Sequence, residues 1–237
     1  GVPVAKHGNR AASSKAGAAD TLEALGLDLE RAATSAEATL GALGICFLFA
    51  ARHHPAMARI MPVRRHIARR TVFNLLGPLA NPAGIDRQLV GIARPEEVAI
   101  YAEALARLGT RRAMVVAGDD GLDELSLAGP STIADVGPGG IMTGRIAPTD
   151  AGLLPAPLGA LRGGDARFNA QALHALLRGA PGAYRDAVLL NAAAALVVAG
   201  TAANLAEGAA RAAEAIDSAA AERLLDRWIA ATARTSP

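Results

Sequence analysis

The sequence has one cysteine among 237 residues, which excludes an intrachain disulfide framework and any cysteine-built metal cage. Cys46 lies inside the apolar stretch 45–50, where the expected role is a small buried hydrophobe in a reducing compartment. Aromatic residues are scarce, at 3% of the chain. A chain that is 51% hydrophobic yet so poor in rings must build its core from Ala, Leu, Val and Ile. Long apolar runs are missing too. The longest candidate, residues 192–203, is alanine-rich and too short to cross a bilayer. Charge of one sign never accumulates beyond pairs such as Arg64-Arg65, Arg69-Arg70 and Arg111-Arg112, and the net charge is only +2. Neither a membrane nor a nucleic acid is therefore expected as partner; a small anionic substrate is. No leader-like pattern opens the sequence, and a soluble cytoplasmic protein is expected.

What is abundant shapes the fold. The alanine excess favours helices, while 25 Gly and 13 Pro demand many turns. Residues 1–5 read as the end of a strand. Ala18, Leu22 and Leu25 recur at helical spacing, with Gly26 as a stop. Thr34 and Glu37 have capping-box spacing and predict a helix to about Leu43, followed by a buried strand over 45–50. Pro55 suits the first position of a helix to about Arg70, interrupted near Pro62. Strand-like runs at 88–93 and 112–117 flank an amphipathic helix over 95–108, which is a βαβ pattern and predicts parallel pairing. Shorter strands are predicted over 132–136 and 141–146, then helices over 169–177, 184–199, 204–216 and 218–232. No internal repeat is visible. The expected fold class is α/β, with a central, largely parallel sheet flanked by helices.

Three places concentrate chemistry. Lys6-His7-Gly8-Asn9-Arg10, continuing to Ser13-Ser14-Lys15, sets cations, an amide and hydroxyls before a helix, as a phosphate cradle would. A solvated loop that merely caps the helix explains the serines equally well. Asp123 and Glu124 follow the 112–117 strand, at the carboxyl end where ligands gather in open α/β sheets. Adjacent carboxylates there can hold Mg²⁺ together with water and phosphate oxygens, or form an acidic turn in water. Arg64 belongs to a basic stretch and offers a planar fork for a carboxylate, although position alone does not single it out. His53, His54, His66 and His174 have no metal-ligand spacing and are expected at the surface or in helix packing.

The wording of these stretches resembles the anthranilate phosphoribosyltransferases. The resemblance rests on Lys6-His7-Gly8-Asn9-Arg10 with Ser13-Ser14-Lys15, on Leu22-Glu23-Ala24-Leu25-Gly26, and on His54-Pro55. It continues through Met61-Pro62-Val63-Arg64 and the string from Arg70-Thr71-Val72-Phe73-Asn74 to Asn81-Pro82. It implies transfer of the phosphoribosyl group of phosphoribosyl pyrophosphate to the amine of anthranilate, in tryptophan biosynthesis. Lys6, His7, Gly8, Asn9, Arg10, Ser13 and Ser14 would then meet phosphoribosyl pyrophosphate. Asn9, Arg64 and His7 would meet anthranilate, and Asp123 with Glu124 would hold Mg²⁺. No side chain is expected to act chemically beyond positioning and electrostatics. The resemblance also implies a homodimer.

Two departures are visible. Ala18 stands where the family often carries a further phosphate-binding Ser. The family's Gly-Thr-Gly-Gly-Asp pyrophosphate loop, its Asn-x-Ser-Thr segment and the helices of its small domain have no counterpart in residues 1–5. The expectation is one α/β domain over 1–237 that matches the later part of the family pattern, with impaired activity. Within it, residues 52–82 are expected as a helical segment packing with the small domain's helices. Two rivals are a transferase-like nucleic-acid-binding homologue without the activity and a pyrimidine nucleoside phosphorylase.

Overall fold

A computed structural model describes residues 1–11, 15–67, 71–72 and 75–233, with the backbone alone at 58, 59, 61, 62, 64 and 65. The chain opens with β1 (Val4–Gly8), which pairs in parallel with β2 (Ile45–Phe49) and sets Lys6 beside Phe47. Parallel partners need a crossover. Here it consists of three short helices, α1 (Ala18–Ala24), α2 (Leu29–Thr34) and α3 (Ala36–Leu43). Gly26 stops α1 at φ +102°, as expected.

The six-residue α2 was not expected, and it changes the capping that follows. Asp28 starts α2 by accepting the Glu30 and Arg31 N–H groups. Thr34 therefore closes one helix rather than opening the next, and its hydroxyl donates back to the Glu30 and Arg31 carbonyls. Ser35 takes the start of α3. Two short helices joined head to tail leave no room for the capping box that Thr34 and Glu37 suggest.

Next come α4 (Ala50–His53) and α5 (Pro55–Ile67), the latter running through Pro62 without a break. The expected end at Arg70 lies outside the described residues. A second sheet follows, with β3 (Arg87–Gly91), β4 (Arg112–Gly118), β5 (Ser131–Gly137) and β6 (Gly140–Ile146) in that spatial order. The predicted βαβ unit is present: β3 and β4 run parallel, joined by α6 (Val98–Arg107). The α/β class is as expected, and the four-stranded sheet is mixed. Parallel pairing is found where helices make the crossover. The segment 119–130 instead returns the chain so that β5 pairs antiparallel with β4, and a two-residue loop between Gly137 and Gly140 then turns β6 antiparallel to β5.

The last third is α7 (Ala166–Leu177), α8 (Ala183–Ala199), α9 (Leu205–Asp217) and α10 (Ala220–Thr232). Strand β4 shows why both faces of the sheet are covered. Met114 and Val116 join the cluster built by α7 to α10, while Ala113, Val115 and Ala117 pack with Val98, Tyr101, Ala102 and Leu105 of α6. Period-two alternation sends successive side chains to opposite layers, and a strand buried on both sides is apolar throughout. Arg87 ties β3 to the carboxyl end of α8, donating to the Val198 carbonyl at 2.7 Å.

Candidate functional site

The cradle begins where β1 ends. A Cβ on Gly8 would stand 2.9 Å from the ring of Phe47, a fully buried core residue, so only glycine lets the strand lie on that ring. The loop beyond it is held by α1. Asp20 accepts the Ala11 N–H at 2.9 Å and the Gly17 N–H at 2.8 Å, stapling both ends of the loop to the helix. Those two bonds hold the Asp20 carboxyl below its ordinary range. Arg10 turns onto the same helix, bidentate on Glu23 at 2.7 and 3.0 Å and reaching Asp20 at 3.2 Å. As placed, Arg10 shapes the cradle; to meet a phosphate it would have to leave Glu23. Asn9 accepts the Arg10 N–H on its own side-chain oxygen at 2.9 Å. Ser13 and Ser14 lie outside the described residues.

His7 is tied at both ring nitrogens. Nδ1 lies 3.3 Å from the Gly77 carbonyl and Nε2 lies 3.0 Å from His54 Nε2, with the rings at 74°. A carbonyl only accepts, so Nδ1 carries the hydrogen and Nε2 receives one from His54. Burial lowers the His7 pKa most, His54 adds to the effect, and the Gly77 bond opposes it. His54, expected at the surface or in helix packing, is thus drawn to the cradle. Its place beside Pro55 in the family-like wording was the signal available. Asn81 braces the same strand, donating to the Ala5 carbonyl at 3.1 Å. Arg64 lies on α5, where the backbone alone is described.

The carboxylate pair sits in the loop after β4, at that strand's carboxyl end. Asp120 organises the loop, accepting the Leu122 N–H at 3.2 Å and the Ser126 hydroxyl at 2.6 Å. Ser131 in turn accepts the Ser126 N–H at 2.9 Å. Glu124 keeps access to solvent, yet the surrounding protein raises its pKa by desolvation, with Asp123 adding like charge and Lys6 pulling the other way. Across the loop, the Tyr184 hydroxyl of α8 is pushed up by burial and by Glu124. Lys6 from β1, Asp123 and Glu124 from the β4 loop, and Tyr184 from α8 therefore share one electrostatic neighbourhood.

Two clefts open beside it. One, of about 370 Å³, is bordered by Asp123, Gly91, Arg94, Tyr101, Leu75 and Pro78. The other, of about 430 Å³, lies between Gly17, Thr21, Arg162, Phe168 and Tyr184. Among the described residues no group of three or more His, Cys, Asp or Glu gathers, so no all-protein metal cage is present there. Asp123 and Glu124 offer adjacent hard oxygens, and the charge of Asp123 opposes ionisation of Glu124; such a donor set fits a hard cation completed by water and phosphate. Among the described residues no helix is long and apolar enough to cross a membrane.

Comparison with known proteins places these features in context. Residues 1–222 match the glycosyl transferase family, a/b domain. An anthranilate phosphoribosyltransferase of Novosphingobium aromaticivorans is 66% identical over 231 residues, covering 98% of this chain and 70% of that protein. The crystal structure of the anthranilate phosphoribosyltransferase of Thermus thermophilus superposes with a TM-score of 0.89 at 48% identity, over 98% of this chain and 69% of the other. The Saccharomyces cerevisiae enzyme, solved with phosphoribosyl pyrophosphate and Mg, gives a TM-score of 0.87 at 28% identity, over 96% and 64%.

Proposed function

The chain belongs to the anthranilate phosphoribosyltransferases of the glycosyl transferase family, and on that premise we propose that it serves phosphoribosyl transfer to anthranilate in tryptophan biosynthesis. The anthranilate nitrogen bonds to the ribose anomeric carbon, the bond to pyrophosphate breaks with its electron pair, and the amine gives up a proton. The barrier is lowered by holding two substrates in line and by stabilising the charge on the leaving group. In this reading Lys6, Ser13 and Ser14 hold phosphate oxygens. His7, Gly8 and Arg10 shape the cradle at the end of β1, and Asn9, Arg64 and His7 orient anthranilate. A neutral His7 suits an aromatic amine that must keep its lone pair for attack.

Asp123 and Glu124 would hold Mg²⁺, which when bound neutralises pyrophosphate charge. The observation that carries this reading is the Asp123–Glu124 pair in the loop at the carboxyl end of β4, with Asp123 bordering a cleft of about 370 Å³. A cytoplasmic homodimer is part of the same proposal. So is the packing of residues 52–82 against the family's small helical domain.

The test is loss of anthranilate fluorescence with phosphoribosyl pyrophosphate and Mg²⁺, on this chain and on the protein at the full length of its relatives. Activity that vanishes when Asp123→Ala and Glu124→Ala are combined is the expected result. Folded protein that is silent at both lengths would overturn the proposal.

A further inference from the structure

Asn191 lies in the middle of α8 and faces the residue that follows Glu124. Its side-chain oxygen accepts the Leu125 N–H at 2.9 Å, and its Nδ2 donates to the Leu125 carbonyl at 3.0 Å. The second hydrogen on Nδ2 goes to the Ala187 carbonyl, one turn back on the helix, at 3.0 Å. A primary amide carries an acceptor and a donor side by side, so it can grip both polar groups of one residue at once. The orientation is forced, because a backbone N–H only donates. Leu125 is 1% exposed, so little water is available to replace either bond.

The loop is confined from the opposite side as well. A Cβ on Gly91 would lie 1.6 Å from the Asp123 carbonyl oxygen, so the backbone of Asp123 is pressed directly on β3. Glu124 is thus suspended between a contact on the sheet and a clamp on α8. We propose that Asn191 is a positioning residue that sets the Asp123 and Glu124 carboxylates for a divalent cation by clamping the backbone of Leu125. This rests on reading that pair as the metal site. Neither leucine, with no polar atoms, nor alanine, which is too short, could make the clamp.

The experiment titrates Mn²⁺ into the 237-residue chain by electron paramagnetic resonance and follows exchange of the Leu125 amide by NMR. In Asn191→Ala and Asn191→Leu, the Mn²⁺ dissociation constant should rise about 10- to 100-fold and the Leu125 amide should exchange faster. Alanine suits a helix interior, so that variant carries the test if the leucine variant fails to fold. Val198→Ala, which removes buried volume from the same helix, should lower the melting temperature and leave Mn²⁺ affinity unchanged. Wild-type Mn²⁺ affinity in Asn191→Ala, with affinity abolished in Asp123→Ala plus Glu124→Ala, would overturn the positioning role and leave the metal site standing. Binding that survives the double carboxylate variant, or is absent from the wild type, would remove the metal reading and this proposal with it.

Discussion

His7 shows what a single side chain gains from its neighbours. Its folded pKa lies below the ordinary 6.5, chiefly through burial and then through His54, with His53 and Lys6 adding positive charge nearby and the Gly77 bond opposing them. A histidine depressed in the native state binds its proton less readily there than in the unfolded chain. Its contribution to stability is therefore present above about pH 6.5 and is lost as pH falls through the folded value. Two-dimensional NMR of the imidazoles should give a His7 midpoint below 6.5. His54→Ala should raise that midpoint, because it removes both bulk and charge; an unchanged midpoint would refute the coupling. Residues of this kind also mark the limit of sequence reading. Lys6, Asp123 and Glu124 could be named as candidates from the sequence because each stands in a short, chemically loaded phrase. His54 bonds His7 across 47 positions and Asn191 grips Leu125 across 66, and no local spacing encodes such a meeting.

Among the elements, periodic segments were the most legible. The βαβ unit and the four C-terminal helices follow from apolar repeats long enough to outweigh local noise. The short α2 escaped because six residues hold fewer than two helical turns, and the mixed sheet escaped because strand direction depends on connections rather than on strand composition. The contact between α8 and α9 gives a test in which two effects oppose each other. Gly208 of α9 faces Ala193 of α8, and a Cβ there would lie 2.8 Å from the Ala193 Cα and 2.9 Å from its carbonyl oxygen. Replacing glycine by alanine inside a helix gains roughly 1 kcal/mol of propensity. Overpacking a close helix contact costs about 1–3 kcal/mol, and here the obstacle is backbone that cannot rotate away. Gly208→Ala is therefore expected to destabilise by up to about 2 kcal/mol. A lower urea midpoint with an unchanged slope would show it; a higher midpoint would mean that the helices part readily.

At the scale of the whole molecule, the surface is too large for the mass. The chain exposes 13018 Å² at 24.0 kDa, whereas a compact folded monomer of that mass exposes about 9,900 Å². The difference, about 3,000 Å² on one chain, exceeds the roughly 800 Å² that each partner buries in a standard interface. Part of it is apolar and clustered in sequence: Val63, Ile67, Val72 and Leu76 are all exposed, within the stretch that carries α5 and leads toward the cradle. Apolar side chains in water seek cover, and a second copy of the chain carries the same uncovered residues. The 237-residue chain alone is therefore expected to self-associate at micromolar concentration, sedimenting faster than a 24.0 kDa monomer. Ile67→Asp combined with Val72→Asp should shift it toward the monomer, because a charge held in an apolar contact must be desolvated. If the unmodified chain sediments as a clean monomer, its extra surface is stably solvated, and the exposed Val63, Ile67, Val72 and Leu76 need no cover from a second copy.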